Sequence, residues 1–215
     1  MLKFQTFVFN ALSENTYIVW NNDSKNAIII DPGNYSNAEN TELDHFIVSN
    51  AIKPIYILNT HCHIDHILGN AYIKSKYKIP LLVPRLEQEI LRYSSVIAPH
   101  YGFTRYQISE FDQLIDVDTK LMLDDTKIDI KYVPGHSPGH LAFLFEDDKL
   151  CFSGDVLFAG SIGRSDLPGG HHQTLINSIE TQLFVLPPDF KVLPGHGPST
   201  TILQEKKFNP FFNYK

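Results

Sequence analysis

Pro54-Ile55-Tyr56-Ile57-Leu58-Asn59-Thr60-His61-Cys62-His63-Ile64-Asp65-His66 is a short apolar run that ends in a dense cluster of polar, metal-ligating side chains. Pro54 to Leu58 has the length and residue types of a buried strand. The segment from Leu68 to Tyr77 reads as a helix. Strand, polar loop and helix in that order belong to a layered α/β fold with functional groups at strand ends. His61, His63, Asp65 and His66 fall within one heptapeptide. Imidazole nitrogen and carboxylate oxygen both bind zinc at ~2.0–2.2 Å, so ligands have to converge tightly. A loop leaving a strand can aim His61 and His63 at one point, and Asp65 and His66 at a neighbouring one.

Outward from this motif the same grammar repeats. Phe4 to Phe9 and Thr16 to Trp20 are rich in aromatic and β-branched residues, and Asn21-Asn22-Asp23-Ser24 is a turn signal. Ala27-Ile28-Ile29-Ile30 is a continuous apolar run, as in a strand covered on both faces, and it stops at Asp31-Pro32-Gly33. Ser36 and Glu39 have capping-box spacing and start a helix whose apolar face is Leu43, Phe46 and Ile47. Pro84 to Tyr93 is expected to be helical, with Pro in the first turn. A second strand-rich block follows. Ile128, Ile130 and Tyr132 alternate with polar residues, and Leu141–Phe145 and Leu150–Phe152 flank Asp147-Asp148 as a hairpin. A helix from about Gln173 to Leu183, a strand over Lys191-Val192-Leu193 and a helical tail from Ser199 to Lys207 complete the pattern. Two strand-rich blocks interleaved with helices fit an α/β sandwich.

Three more segments end predicted strands with a candidate ligand beside glycine: Pro134-Gly135-His136-Ser137-Pro138-Gly139-His140, Ser153-Gly154-Asp155 and Pro194-Gly195-His196-Gly197. Glycine lets the backbone turn sharply next to a metal. Between the first His cluster and His136 lie Tyr93, Tyr101, Phe103, Tyr106 and Phe111, expected to be core aromatics rather than a lid. The aromatic tail Phe208 to Tyr214 is expected to dock on its own domain or on a second subunit, which leaves a homo-oligomer open.

The chain has 215 residues, expected to form one domain over 1–215 with a core that needs no structural metal. A net charge of −6, with 18 basic and 24 acidic residues, argues against nucleic acid or an anionic membrane as the main partner and leaves a small-molecule substrate. Two cysteines, Cys62 and Cys151, make no disulfide framework and fit a reducing compartment. No charged segment followed by an apolar run marks the N-terminus, and no apolar stretch approaches the ~20 residues of a membrane span. The expected location is the cytoplasm.

Taken together, the stretch from Asp31-Pro32-Gly33 to the His196 loop resembles the metallo-β-lactamase superfamily. The resemblance implies an αββα sandwich of two mixed β-sheets flanked by helices. It implies that His61, His63 and His136 hold a first metal, that Asp65, His66 and His196 hold a second, and that Asp155 bridges them. Asp65 is then also the catalytic carboxylate, while Asp31 and His140 support the ligands without binding metal. Two zinc ions per chain are expected, although imidazole and carboxylate also suit iron or manganese. Such a pair can lower the pKa of a shared water towards neutrality, giving a metal-bridging hydroxide that attacks a carbonyl.

Within the superfamily the sequence is most similar to short bacterial glyoxalase II-like hydrolases. The similarity rests on Asn59 to His66, Pro134 to His140 and Phe158-Ala159-Gly160-Ser161-Ile162-Gly163-Arg164-Ser165-Asp166. It implies hydrolysis of a thioester such as an acyl-glutathione. Only residues 197–215 follow the last ligand, so the C-terminal helical domain that holds glutathione in full-length glyoxalase II is missing. Arg164 reads equally well as a clamp for a substrate carboxylate and as a staple of its own loop. A mono-iron persulfide dioxygenase is the rival reading, because it shares the first loop and a Gly-Arg-x-Asp segment. His140 favours the hydrolase. Lactone and phosphodiester hydrolysis remain open, whereas a non-catalytic relative should have lost ligands that are all present here.

Overall fold

A computed structural model describes residues 1–212. The first half builds a six-stranded sheet in spatial order β1 (Leu2–Phe9), β2 (Glu14–Asn21), β3 (Asn26–Ile30), β4 (Lys53–Leu58), β5 (Leu81–Pro84) and β6 (Gln113–Ile115). Strands β1 to β3 pair antiparallel and β3 to β6 pair parallel. The second half builds another six-stranded sheet from β7 (Leu121–Leu123), β8 (Thr126–Tyr132), β9 (Leu141–Phe145), β10 (Leu150–Gly154), β13 (Lys191–Pro194) and β14 (Thr200–Thr201). Here β10 and β13 are parallel and the other pairs antiparallel. A two-stranded ribbon, β11 (Leu157–Phe158) with β12 (Ser161–Ile162), stands apart.

The apolar run of β3 explains the layering. Side chains alternate across a strand. Ile28 and Ile30 therefore enter the core between the two sheets, with Leu58, Phe143, Phe145, Phe152 and Leu193. Ala27 and Ile29 point the other way, against Leu43 and Ile47 of α1 (Asn37–Ser49), Ile73 of α2 (Asn70–Tyr77) and Leu91 of α3 (Gln88–Ile97). The second sheet repeats this. Leu144, Cys151 and Val192 pack on Leu175 and Ile179, and on Ile202 of α5 (Ile202–Phe208); Leu175 belongs to α4 (His172–Ser178). The result is the expected αββα sandwich of two mixed sheets. Each fully buried Ile contributes roughly 1.5–3 kcal/mol, and a charge at Ile29 would break the helix-facing layer.

The capping box forms as read: Ser36 Oγ accepts from Glu39 N, and the Glu39 carboxylate accepts from Ser36 N at 2.7 Å. The segment at Pro84 differs from expectation. Leu81 to Pro84 is a buried parallel strand, Arg85–Glu87 is a 3₁₀ turn, and the helix begins only at Gln88. Proline lacks an N–H, so it can end a strand as readily as it can open a helix, and the buried apolar triplet before it decides for the strand. The helix read over Gln173–Leu183 is α4 followed by a π-helical turn over Ile179–Leu183. At the C-terminal end, Phe212 packs edge-on against Phe184 at 4.7 Å, while Phe208 is exposed. Tyr214 lies outside the described residues. Among those residues no helix is long and apolar enough to cross a membrane.

Candidate metal centre

The four polar segments come together at one edge of the sandwich, where strands of both sheets end. The loop after β4 carries His61, His63, Asp65 and His66, the last two in a 3₁₀ turn over Ile64–His66. The loop after β8 carries His136, the end of β10 carries Asp155, and the loop after β13 carries His196. Ligand atoms of His61, His63 and His136 lie within 4.8 Å of one another, as do those of Asp65, His66 and His196. Asp155 stands between the two groups. Its Oδ1 is 3.4 Å from His66 Nε2, and its Oδ2 is 3.7 Å from His136 Nε2 and 3.5 Å from His196 Nε2.

The far nitrogen of most of these rings is tied down, which fixes the face turned inward. Thr60 Oγ1 meets His61 Nδ1 at 3.0 Å, and Arg164 O meets His136 Nδ1 at 2.7 Å. Asp31 Oδ2 meets His66 Nδ1 at 3.1 Å, and Ser13 O meets His196 Nδ1 at 3.2 Å. Partners of this kind set the tautomer and direction of a ligating imidazole. What remains inside is short of partners. His61 Nε2, His66 Nε2 and Asp155 Oδ1 are buried without any hydrogen bond. Buried polar atoms are normally paired, so three orphans converging on one point fit cations held there. Glycine makes room: a Cβ on Gly195 would overlap Asp155 Oδ1 and the His66 ring.

The electrostatics divide the rings into two sets. Burial and the neighbouring rings push His61 well below the ordinary imidazole range, and burial takes His63 down to about 3. Neutral imidazole is the ligating form. Burial opposes a charge on His66, but Asp155 and Asp65 outweigh it and raise its pKa well above the usual value. Burial would also raise Asp155, yet His66, His136 and His196 outweigh that and lower it strongly.

Asp31 and His140 both lie against the ligand rings, and an oxygen of Asp31 falls within 4.8 Å of ligand atoms of His61 and His66. Asp31 sits at positive φ (48°), a conformation tolerated best by Asp and Asn among side-chain-bearing residues. Its carboxylate accepts from Thr60 N at 2.7 Å and Thr60 Oγ1 at 2.6 Å, besides facing His66. His140 stacks on His61 at 4.6 Å, and its Nε2 accepts from Asp155 N at 3.1 Å. Arg164 lines the pocket, but its guanidinium is paired bidentately with Asp166 at 2.8 Å on both arms. Its backbone carbonyl, which holds His136, is its firmer contact with the site. The aromatic segment divides. Phe103 is buried and Tyr106 and Phe111 pack on the core as expected, whereas Tyr93 and Tyr101 are exposed beside the pocket. They sit on or just past the outward face of α3, and the core beneath is already filled by Leu91 and Ala98.

Three supporting residues escaped the sequence reading. Buried Glu87 accepts from Cys62 N at 3.0 Å and Gly139 N at 2.6 Å, clamping the first His loop to the His136 loop. Buried Glu14 lies 3.9 Å from His66 Nδ1, and burial raises its pKa well above the carboxylate range. Asn15 donates to Pro194 O and Gly197 O, tying the His196 loop to β2. Nothing in their local sequence marks them, because Glu87 and Asn15 bond remote backbone groups and Glu14 faces the remote His66.

Comparison with known proteins places this geometry. The model of the metallo-beta-lactamase superfamily matches residues 10–196. The hydroxyacylglutathione hydrolase GloC of Haemophilus influenzae is 36% identical over 208 residues, covering 95% of each chain. Among solved structures, BLEG-1 B3 metallo-beta-lactamase superposes with a TM-score of 0.88 at 33% identity, over 99% of this chain and 100% of that one. TTHA1623 in a di-iron-bound form superposes with a TM-score of 0.85 at 30% identity, over 96% of this chain and 99% of that one. On the strength of the family match and of these full-length likenesses, the chain belongs to the metallo-beta-lactamase superfamily of metal-dependent hydrolases.

Proposed function

We propose that this protein is a binuclear metal-dependent thioester hydrolase of glyoxalase II type, with zinc as its metal. The observation that carries the reading is the convergence of two ligand groups on Asp155, with His61 Nε2, His66 Nε2 and Asp155 Oδ1 buried and unpaired. The likeness to the hydrolase GloC supports the substrate class, and the likeness to a di-iron-bound structure supports two ions. His61, His63 and His136 would hold the first ion, Asp65, His66 and His196 the second, and Asp155 both. Two such ions supply a Lewis acid for the carbonyl and a water of lowered pKa.

The chain's own residues do the rest. Asp155, between the two groups, would offset part of the cationic charge of both ions. Asp65, at the pocket face, is the carboxylate that accepts a hydrogen bond from the attacking water and orients it. Asp31 and Arg164 O keep His66 and His136 turned inward, so the ligand set is preorganised. A thiolate leaves readily without a strong general acid.

Metal content per purified chain, measured alongside hydrolysis of S-lactoylglutathione, tests the proposal. About two zinc ions with turnover are expected. About one iron ion, with oxygen uptake on a persulfide and no hydrolysis, would transfer the chain to the dioxygenase reading. The likeness to BLEG-1 favours one second reading, β-lactam hydrolysis, which a chromogenic cephalosporin assayed in the same preparation would reveal.

A further inference from the structure

The metal pocket, a cavity of about 400 Å³, does not end at the ligands. Beside it lies a second cavity of about 410 Å³, and the two share His63, Ile64, Ile97, Tyr101 and Leu167 as common walls. Both volumes fall in the ~300–1,000 Å³ range of small-molecule sites. The second cavity is an apolar groove. Ile90, Tyr93 and Ile97 repeat at i, i+3 and i+7 along α3, and Tyr101 extends the row one turn further. Residues at that spacing share one helix face.

Beyond Ile90, which packs partly on the core, this row leaves the core face of the helix. Leu91 and Ala98 are buried against the first sheet, whereas Tyr93 is 63%, Ile97 43% and Tyr101 46% exposed. Helix α3 thus has two apolar faces, one filled by the fold and one left open beside the ligands. Leu167 and Pro168, from the loop after Arg164, form the opposite wall. Among the described residues no lysine or arginine lines the groove, and the charged groups there are Glu89 and the histidines His63 and His100.

We infer that this groove is a specificity subsite for an uncharged, apolar arm of the substrate, an alkyl or aryl chain attached to the scissile carbonyl or to its leaving group. The inference rests on the proposed hydrolase and sharpens its substrate class. An arm bearing carboxylates, as in a glutathione tripeptide, finds no cation along this wall. The one arginine of the metal pocket, Arg164, is already paired with Asp166. An apolar arm of several methylenes would instead cover Tyr93, Ile97 and Tyr101 and exclude water next to the ligands. Burial of one methylene contributes about 0.8 kcal/mol when complete, roughly fourfold in affinity, and a half-open groove realises part of that.

The metal-loaded protein would be assayed with acyl thioesters of N-acetylcysteamine from acetyl to octanoyl, and with acetyl thioesters of thiols of rising length. An increase of about tenfold or more in kcat/KM along either series is expected, and the series that responds identifies the arm. In Tyr93→Asp and Ile97→Asp that length dependence should collapse, while in Val48→Asp, an exposed position on α1 that lines neither cavity, it should persist. Binding of non-hydrolysable S-octyl and S-methyl thioethers, followed by calorimetry, separates this inference from the parent reading. Tighter binding of the octyl compound, lost in Tyr93→Asp, supports the subsite even if no thioester is cleaved, an outcome that would sink the thioesterase instead. Equal binding of both compounds, or flat length dependence in both series, overturns the subsite.

Discussion

The two ligand groups share a loop but are supported in opposite ways. The group of His61, His63 and His136 contains no carboxylate of its own, and its rings are steadied by neutral oxygens, Thr60 Oγ1 and Arg164 O. Buried Glu87 beside this group clamps backbone to backbone, accepting from Cys62 N and Gly139 N. The group of Asp65, His66 and His196 is acidic, and His66 rests on a second layer of carboxylate, Asp31, with Glu14 behind. The difference teaches that one heptapeptide can serve two ions of unequal demand. Neutral imidazoles need only be aimed, whereas His66, whose pKa the facing aspartates raise, needs an anion beside it in a low-dielectric interior.

Breaking both groups at once should have the largest effect. Asp155→Ala removes the one side chain they share, and a loss of more than about 100-fold in kcat/KM is expected, together with a fall in metal content measured by elemental analysis. Asp31→Asn sharpens the contrast, because Asp31 faces His66 directly and reaches the other group only through Thr60, whose hydroxyl holds His61. It should cost about 10–100-fold in activity or metal affinity, because an outer partner of His66 is altered, with metal lost from one position before the other in a chelator titration. Loss of both ions together would erase the distinction drawn between the groups. Glu87→Gln strikes the other group. Its amide would point a donor at Cys62 N or Gly139 N, so a stability loss of about 1–3 kcal/mol is expected in chemical denaturation.

The smallest effect concerns Glu39, which reaches the acidic group through Asn10. Its carboxylate accepts from Asn10 N, and Asn10 Nδ2 donates to Asp65 O at 3.1 Å. Burial pushes the Glu39 carboxyl up, but amides of Ser36, Tyr35 and Asn10 outweigh it and hold the pKa below the usual value. A depressed folded-state pKa stabilises above the ordinary carboxylate pKa, and that stability is lost as pH falls through the depressed value. Glu39→Gln should therefore cost less than about 1 kcal/mol at pH 7, since solvent screens a part-exposed carboxylate and Gln keeps an acceptor there. Denaturation midpoints of the two proteins should converge under acid, and a gap that persists there would remove the charge from the explanation.

Much of this was legible from local pattern. Ala27 to Ile30 announced a strand covered on both faces because an unbroken apolar run has no solvent side, and it is buried throughout. Ser36 with Glu39 announced a helix start because the two hydrogen bonds of a capping box are local. The ligand-bearing loops announced themselves because dense histidine and aspartate beside glycine has few uses other than metal binding. Pro84 was misread because its ring suits both a strand end and a helix start, and only the parallel pairing of Leu82 to Pro84 with Gln113 to Ile115 decides between them.

What the sequence by itself determined is therefore the strand-and-helix grammar, the sandwich and the identity of the side chains that meet at its edge, since each depends on residue type and spacing along the chain. The tertiary structure alone decided which nitrogen of each ring faces inward, that Glu14, Glu87 and Asn15 hold the loops from afar, and that one face of α3 stays open beside the metal pocket. These depend on contacts between segments up to 183 residues apart, as between Ser13 and His196. No local pattern encodes them, because a buried carboxylate and a solvated one look the same until the chain has closed around them.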